Sequence, residues 1–218
     1  IIGYTVGRML PSAGVPVLTG DFHRPTLTML KQCFTAMATT SACEMCHIVG
    51  VTPEARSLED ARGNKPLRGE FTITQEDYEE SRRQICSAGE GKINFVLMGC
   101  PHYSLEDIQQ VANYIEGKKV AEGVELHVWT DMSTLAMAKA SGFVKTIEEA
   151  GGNVLSSSCA MVMDPAAFAH VTAMVTDSGK QGHYMHSCFG AGKHVPIYYG
   201  DIYQCIDAAA AGYWKGEA

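Results

Sequence analysis

Ile93-Asn94-Phe95-Val96-Leu97-Met98-Gly99-Cys100-Pro101-His102-Tyr103-Ser104-Leu105-Glu106 is the stretch that decides the fold class. Ile93–Met98 is a short, unbroken apolar run, the length and character of a strand buried on both faces. Gly99-Cys100-Pro101-His102 ends it, and Ser104–Glu116 follows with helical spacing. Downstream the alternation repeats. Val124–Trp129 reads as a strand, Ser133–Ser141 as a helix, and Asn153–Leu155, Val171–Val175 and Val195–Tyr199 as further strands. Ile202–Ala211 reads as the last helix. Buried strands alternating with helices predict an α/β fold, a three-layer αβα arrangement around a mainly parallel sheet.

Upstream the pattern is less regular. Ile1–Leu10 is apolar, with Gly3 and Gly7 four apart, and suits either a helix packed through its glycine face or a loop and turn. Thr26–Ala38 predicts a helix, with Pro25 in its first turn and Leu27, Leu30, Phe34 and Met37 at helical spacing. Ser57–Glu70, polar and broken by Gly63, Pro66 and Gly69, predicts a loop. Thr74 is placed to cap a helix reaching about Cys86, with Gln75, Glu76 and Asp77 in its first turn. The expected organisation is a helix-rich α/β segment over residues 1–90 and a parallel α/β domain over residues 91–218.

Composition narrows the class of protein. The 218 residues are 46% hydrophobic and 19% charged, an ordinary globular balance. Lys and Arg number 17 against 24 Asp and Glu, a formal charge of −7 with no basic patch, which argues against nucleic acid as a partner. No apolar run approaches the roughly 18 residues that span a bilayer, and no signal peptide is visible, so a cytoplasmic setting is expected. The sequence opens Ile1-Ile2-Gly3 without Met and is expected to be part of a longer protein or subunit. Eight cysteines are too dispersed for a small disulfide scaffold; in a reducing compartment most would pack as buried hydrophobes and a few could bind metal.

In open parallel sheets ligands bind beyond the carboxyl ends of the strands. The predicted strands end in Gly99-Cys100-Pro101-His102, Thr130-Asp131, Ser156-Ser157-Ser158-Cys159 and Thr176-Asp177-Ser178-Gly179-Lys180. Cys100, Cys159 and Lys180 are thereby expected on one sheet edge. Two thiolates there suit iron or an iron–sulfur cluster; buried structural thiols give the same spacing. Ser178 with the turn before the next helix, and the Lys180 ammonium, suit a carboxylate or phosphate. His102 suits ligand orientation or proton transfer, or a helix cap. Cys43-Glu44-Met45-Cys46-His47 has no second cysteine pair at zinc spacing and reads as structural. His183 and His186 share a helical face but read as surface residues.

Gly99–Glu106 resembles the Gly-Cys-Pro-His signature of the aconitase X family. His47-Ile48-Val49-Gly50-Val51-Thr52-Pro53-Glu54-Ala55 is similar to a second stretch of that family, Ser158-Cys159-Ala160-Met161-Val162 to its second cysteine segment, and Asp177-Ser178-Gly179-Lys180 to its Asn-Ser-Ala/Gly-Lys segment, with Asp here for Asn. The matches run in order through nearly the whole chain. The resemblance implies a hydro-lyase that removes water from a small hydroxy acid, cis-3-hydroxy-L-proline by preference and phosphomevalonate as the alternative. It implies iron, as an iron–sulfur cluster of the 2Fe–2S or 4Fe–4S kind or as a mononuclear ion, held by three cysteines of which Cys100 and Cys159 are two. It also implies Lys180 as a substrate-binding residue. The third cysteine, in an upstream part of the large subunit, and the catalytic serine, on a swivelling domain or small subunit, are expected outside these residues. A reading of another class is a non-catalytic α/β binding or scaffold domain, inactive without those parts.

Overall fold

The structure is a computed structural model that describes residues 1–10, 14–189 and 192–216. The chain divides into two compact units, Ile1–Arg82 and Arg83–Ala218.

In the first unit, helix α1 (Ile2–Met9) is followed by β1 (Val17–Leu18), α2 (Leu27–Ser41), β2 (His47–Ile48) and α3 (Leu58–Arg62); α4 (Gln75–Ile85) runs on past the boundary. The apolar N-terminal run is thus a helix, and its glycines explain why. A Cβ on Gly3 would lie 1.9 Å from the Cys33 carbonyl oxygen of α2, and one on Gly7 would lie 2.5 Å from the Met37 carbonyl. Their bare faces let two backbones meet. Helix α2 starts one residue later than its pattern predicts, because Thr26 accepts a hydrogen bond from Met29 N and so caps it, leaving Pro25 outside the first turn. The segment Ser57–Glu70 is not wholly loop: Ser57 caps α3 by accepting from Asp60 N. Thr74 does stand at the start of α4, exchanging hydrogen bonds with Asp77.

The second unit carries β3 (Gly91–Lys92), β4 (Phe95–Tyr103), α5 (Leu105–Ile115), β5 (Glu125–Thr130), α6 (Met132–Ala140), α7 (Phe143–Glu149), β6 (Gly152–Leu155), β7 (Met174–Thr176), α8 (Gly179–Tyr184), β8 (Ile197–Tyr199), α9 (Ile202–Ala211) and β9 (Tyr213–Trp214). Five strands form one sheet in the order β6-β5-β4-β7-β8, every pair parallel. The three-layer α/β expectation is met. Val96, Met98, Leu126 and Val128 pack on one face against Ile108, Val111 and Ile115 of α5, Ile147 of α7 and Ile206 of α9. Phe95, Leu97, Trp129, Met174 and Ile197 pack on the other against Ala160, Phe168 and Met185. That second layer is built from short 3-10 segments (Ala160–Val162, Pro165–Phe168, Met185–Ser187) with α8, rather than from long helices. Burial of each large apolar side chain in these layers contributes about 1.5–3 kcal/mol.

Several elements differ from the sequence reading. Strand β4 continues to Tyr103 instead of stopping at Met98. Helix α7 was hidden because Gly142 (φ 82°) breaks the chain just after α6 and restarts it. The antiparallel pair β3–β9 is two residues long, too short for any periodicity to register. The strand expected over Val171–Val175 begins only at Met174, since Val171 N closes a turn on the Phe168 carbonyl. Ser104 caps α5 in a reciprocal box with Asp107, so His102 is not its cap. Among the described residues, no helix is long and apolar enough to cross a membrane.

Candidate functional site

The central strand β4 leaves its ladders at its carboxyl end. It pairs with β7 only over Phe95–Leu97, opposite Met174–Thr176. With β5 it pairs through Met98↔Val128 and then only at Tyr103↔Thr130. Gly99, Cys100, Pro101 and His102 are the residues pushed out, and the Cys100–Pro101 peptide is cis. Gly99 makes the exit possible. Its φ is 88°, and a Cβ there would stand 2.2 Å from the Trp129 carbonyl oxygen. Only glycine meets both conditions without displacing the backbone.

The displaced segment holds Cys100, which is 8% exposed. Burial pushes its thiol pKa up; a hydrogen bond from Ser178 and the charge of Lys180 oppose this, while Cys159 and Asp177 add to the rise. Cys100, Cys159, Ser178 and Lys180 therefore lie within electrostatic reach of one another at the sheet edge. Ser178 is fully buried: its hydroxyl accepts from Gln181 N at 3.2 Å as the cap of α8, and it favours the Cys100 thiolate. Lys180 is half-buried, one residue into α8. Helix α8 has only 6 residues, so its terminus adds little as an anion site and Lys180 supplies the positive charge. His102 Nε2 lies 2.9 Å from the carbonyl oxygen of Ser158, which ties the Cys100 segment to the residue before Cys159. Cys159, half-buried, precedes the 3-10 turn Ala160–Val162.

Two groups escaped the sequence reading. Tyr103, 1% exposed, donates its hydroxyl to Asp177 Oδ2 at 2.5 Å. Burial raises the Asp177 carboxyl pKa to about 6, and the Tyr103 hydrogen bond opposes the shift. Cys188 lies near enough to Cys159 for a thiolate there to raise its pKa, and its sulfur is 3.8 Å from that of Met161. Neither pairing has a local signature, because the partners are far apart in sequence.

Cys43 and Cys46 belong to the first unit. Cys43 donates to the Met45 carbonyl at 2.9 Å, and burial drives the Cys46 thiol up to about 12, away from the thiolate a metal needs. His183 lies edge-on to Tyr184, and His186 neighbours His194, with all three histidines exposed. Among the described residues, no three His, Cys, Asp or Glu side chains are arranged to hold a metal ion by themselves. The thiol chemistry of Cys100 and Cys159 fits two positions of an iron site, with a further donor required.

Family profiles for the aconitase X second domain and the aconitase X third domain match residues 1–83 and 93–211. The chain is 30% identical over 217 residues to the cis-3-hydroxy-L-proline dehydratase of Hypocrea jecorina, covering 98% of this chain and 36% of that protein. It is 30% identical over 190 residues to the phosphomevalonate dehydratase large subunit of Methanothermobacter thermautotrophicus, covering 87% and 45%. The crystal structure of Thermococcus kodakaraensis aconitase X in its holo-form superposes with a TM-score of 0.77 at 25% identity, over 95% of this chain and 50% of that one. The chain thus spans about a third to a half of the length of the relatives it matches.

Proposed function

The chain belongs to the aconitase X family, and from that premise we propose that it forms part of an iron-dependent hydro-lyase acting on a small hydroxy acid, cis-3-hydroxy-L-proline before phosphomevalonate. The observation that carries the reading is the meeting of Cys100, Cys159 and Lys180 at one carboxyl edge of the sheet. Both kinds of relative match nearly the whole chain, at 30% identity for a hydroxyproline enzyme and 28% for a phosphomevalonate enzyme, so turnover of the two substrates decides between them.

Cys100 and Cys159 would hold the iron, as a mononuclear ion or an iron–sulfur cluster, with a third ligand from an upstream region. Burial keeps Cys100 protonated without metal, so loading would release its proton. When bound, iron with an open position supplies Lewis acidity to the substrate hydroxyl. Lys180 would pair with the substrate carboxylate and offset the negative charge of two thiolates. His102, held by the Ser158 carbonyl, would line the same edge. Ser178 would act by orienting Cys100, since its own hydroxyl is buried. The group that removes the proton would come from a swivelling domain or small subunit.

The test is anaerobic purification of the full-length protein, with an iron assay, visible absorption and turnover of both substrates. Iron and turnover are expected in the wild type, and Cys100→Ser or Cys159→Ser should each strip most of the iron. Wild-type iron content in both variants would mean that other residues hold the metal. A complete protein that never binds iron would leave the scaffold reading in its place.

A further inference from the structure

The segment that carries Cys100 belongs to no ladder, so something other than strand pairing must fix it. Between Met98 and Tyr103 it has no partner on β5, and beyond Leu97 it has none on β7. It rejoins the sheet at Tyr103, where two buried bonds hold it. The Tyr103 carbonyl accepts from Thr130 Oγ1 at 2.7 Å, at the end of β5. The Tyr103 hydroxyl reaches the other way, to Asp177 just past the end of β7. A polar line therefore runs Thr130–Tyr103–Asp177 beneath the displaced segment and joins three strand ends.

Asp177 also acts at the start of the segment. The Gly99 backbone favours its charged form, and Oδ1 is buried with no hydrogen-bond partner among the described residues. The Tyr103 bond, at 2.5 Å, is the one hydrogen bond that fixes the carboxylate among the described side chains. The carboxylate thus bonds the residue three after Cys100 and lies near the residue before it. The next residue along the chain, Ser178, lies close enough to Cys100 to favour its thiolate. Burying a carboxylate is costly unless it is well paired, and the hydrophobic core nearby does not need one.

We propose that Asp177 is a positioning residue for Cys100: paired with Tyr103, it closes the off-ladder segment and fixes the thiolate where a metal must meet it. This rests on the reading of Cys100 as an iron ligand, and the experiment separates the two. Tyr103→Phe removes one oxygen and keeps the packing. Asp177→Ala removes the acceptor, and Asp177→Asn restores one for the tyrosine hydroxyl. In the full-length protein, Tyr103→Phe and Asp177→Ala should weaken iron binding, measured by chelator competition, about 10–100-fold, and shift the visible absorption. Asp177→Asn should recover most of the affinity. In metal-free protein, alkylation of Cys100 followed by peptide mass spectrometry should quicken several-fold in the first two variants, with an unchanged urea-unfolding midpoint as the control for folding. Wild-type affinity and wild-type Cys100 alkylation in folded Tyr103→Phe would overturn the proposal, as would failure of Asp177→Asn to recover either. If the wild type itself binds no iron, the iron reading fails, and the alkylation rates alone decide the role of Asp177.

Discussion

At the scale of single residues, Gly99 shows how a motif is dictated by backbone geometry before any chemistry. Its left-handed φ and the Trp129 carbonyl 2.2 Å from a would-be Cβ are independent demands. The conformation costs a non-glycine residue about 1–3 kcal/mol, and the overlap adds about 1–3 kcal/mol more. Gly117 has a similar φ of 77° but nothing within 4 Å of a Cβ. Gly99→Ala should therefore lower stability by clearly more than Gly117→Ala in urea unfolding of the same protein. Equal losses would mean that the close approach to Trp129 carries no cost. The glycine was legible as a break in the apolar run, but not as a point where the strand carries on to Tyr103. The Tyr103–Asp177 bond was not, because its partners lie 74 residues apart and either residue alone reads as core or cap.

At the scale of elements, local rules read well where they suffice. Thr74 with Asp77 announces α4 because capping is a contact among neighbours, and Ser104 with Asp107 starts α5 by the same device, although its spacing reads Ser104 as part of the helix. Helix α1 could be read two ways, since its glycines make sense only against a partner. That partner, α2, fixes the sign of a substitution. Alanine improves helix propensity over glycine by about 1 kcal/mol, so on an open face Gly3→Ala would stabilise. Here the new methyl falls 1.9 Å from the Cys33 carbonyl oxygen, a backbone atom that cannot swing aside. Overpacking of this kind costs about 1–3 kcal/mol and should win. Gly3→Ala is expected to lower the denaturation midpoint, and Gly7→Ala likewise, with Met37 O at 2.5 Å. A raised midpoint in either would show that α1 and α2 can separate without loss.

At the scale of the whole molecule, stability against pH tests how buried charge is distributed. At the amino end of β5, opposite the cysteine edge, Glu125 lies between two histidines, 3.5 Å from His127 Nε2 and 3.2 Å from His170 Nε2. Burial holds the His127 pKa below its usual 6.5; Glu125 opposes the shift, and His170 reinforces it. The unfolded chain therefore takes this proton at a higher pH than the fold does. Its contribution is full above 6.5 and is lost as pH falls through the folded value. Asp177 runs the other way. Its carboxyl is raised to about 6 from 3.8, so its neutral form favours the fold in acid and its contribution is lost as pH rises through 6. The two slopes overlap, and a single wild-type curve cannot separate them. His127→Phe can, because a phenyl ring preserves the edge-on contact with Phe95, 5.0 Å between centroids, and removes the titration. The stability difference between wild type and His127→Phe should move against the wild type as pH drops below 6.5, in calorimetric or urea titrations at fixed salt. A difference that does not change with pH would place the acid sensitivity elsewhere and leave His127 as packing alone.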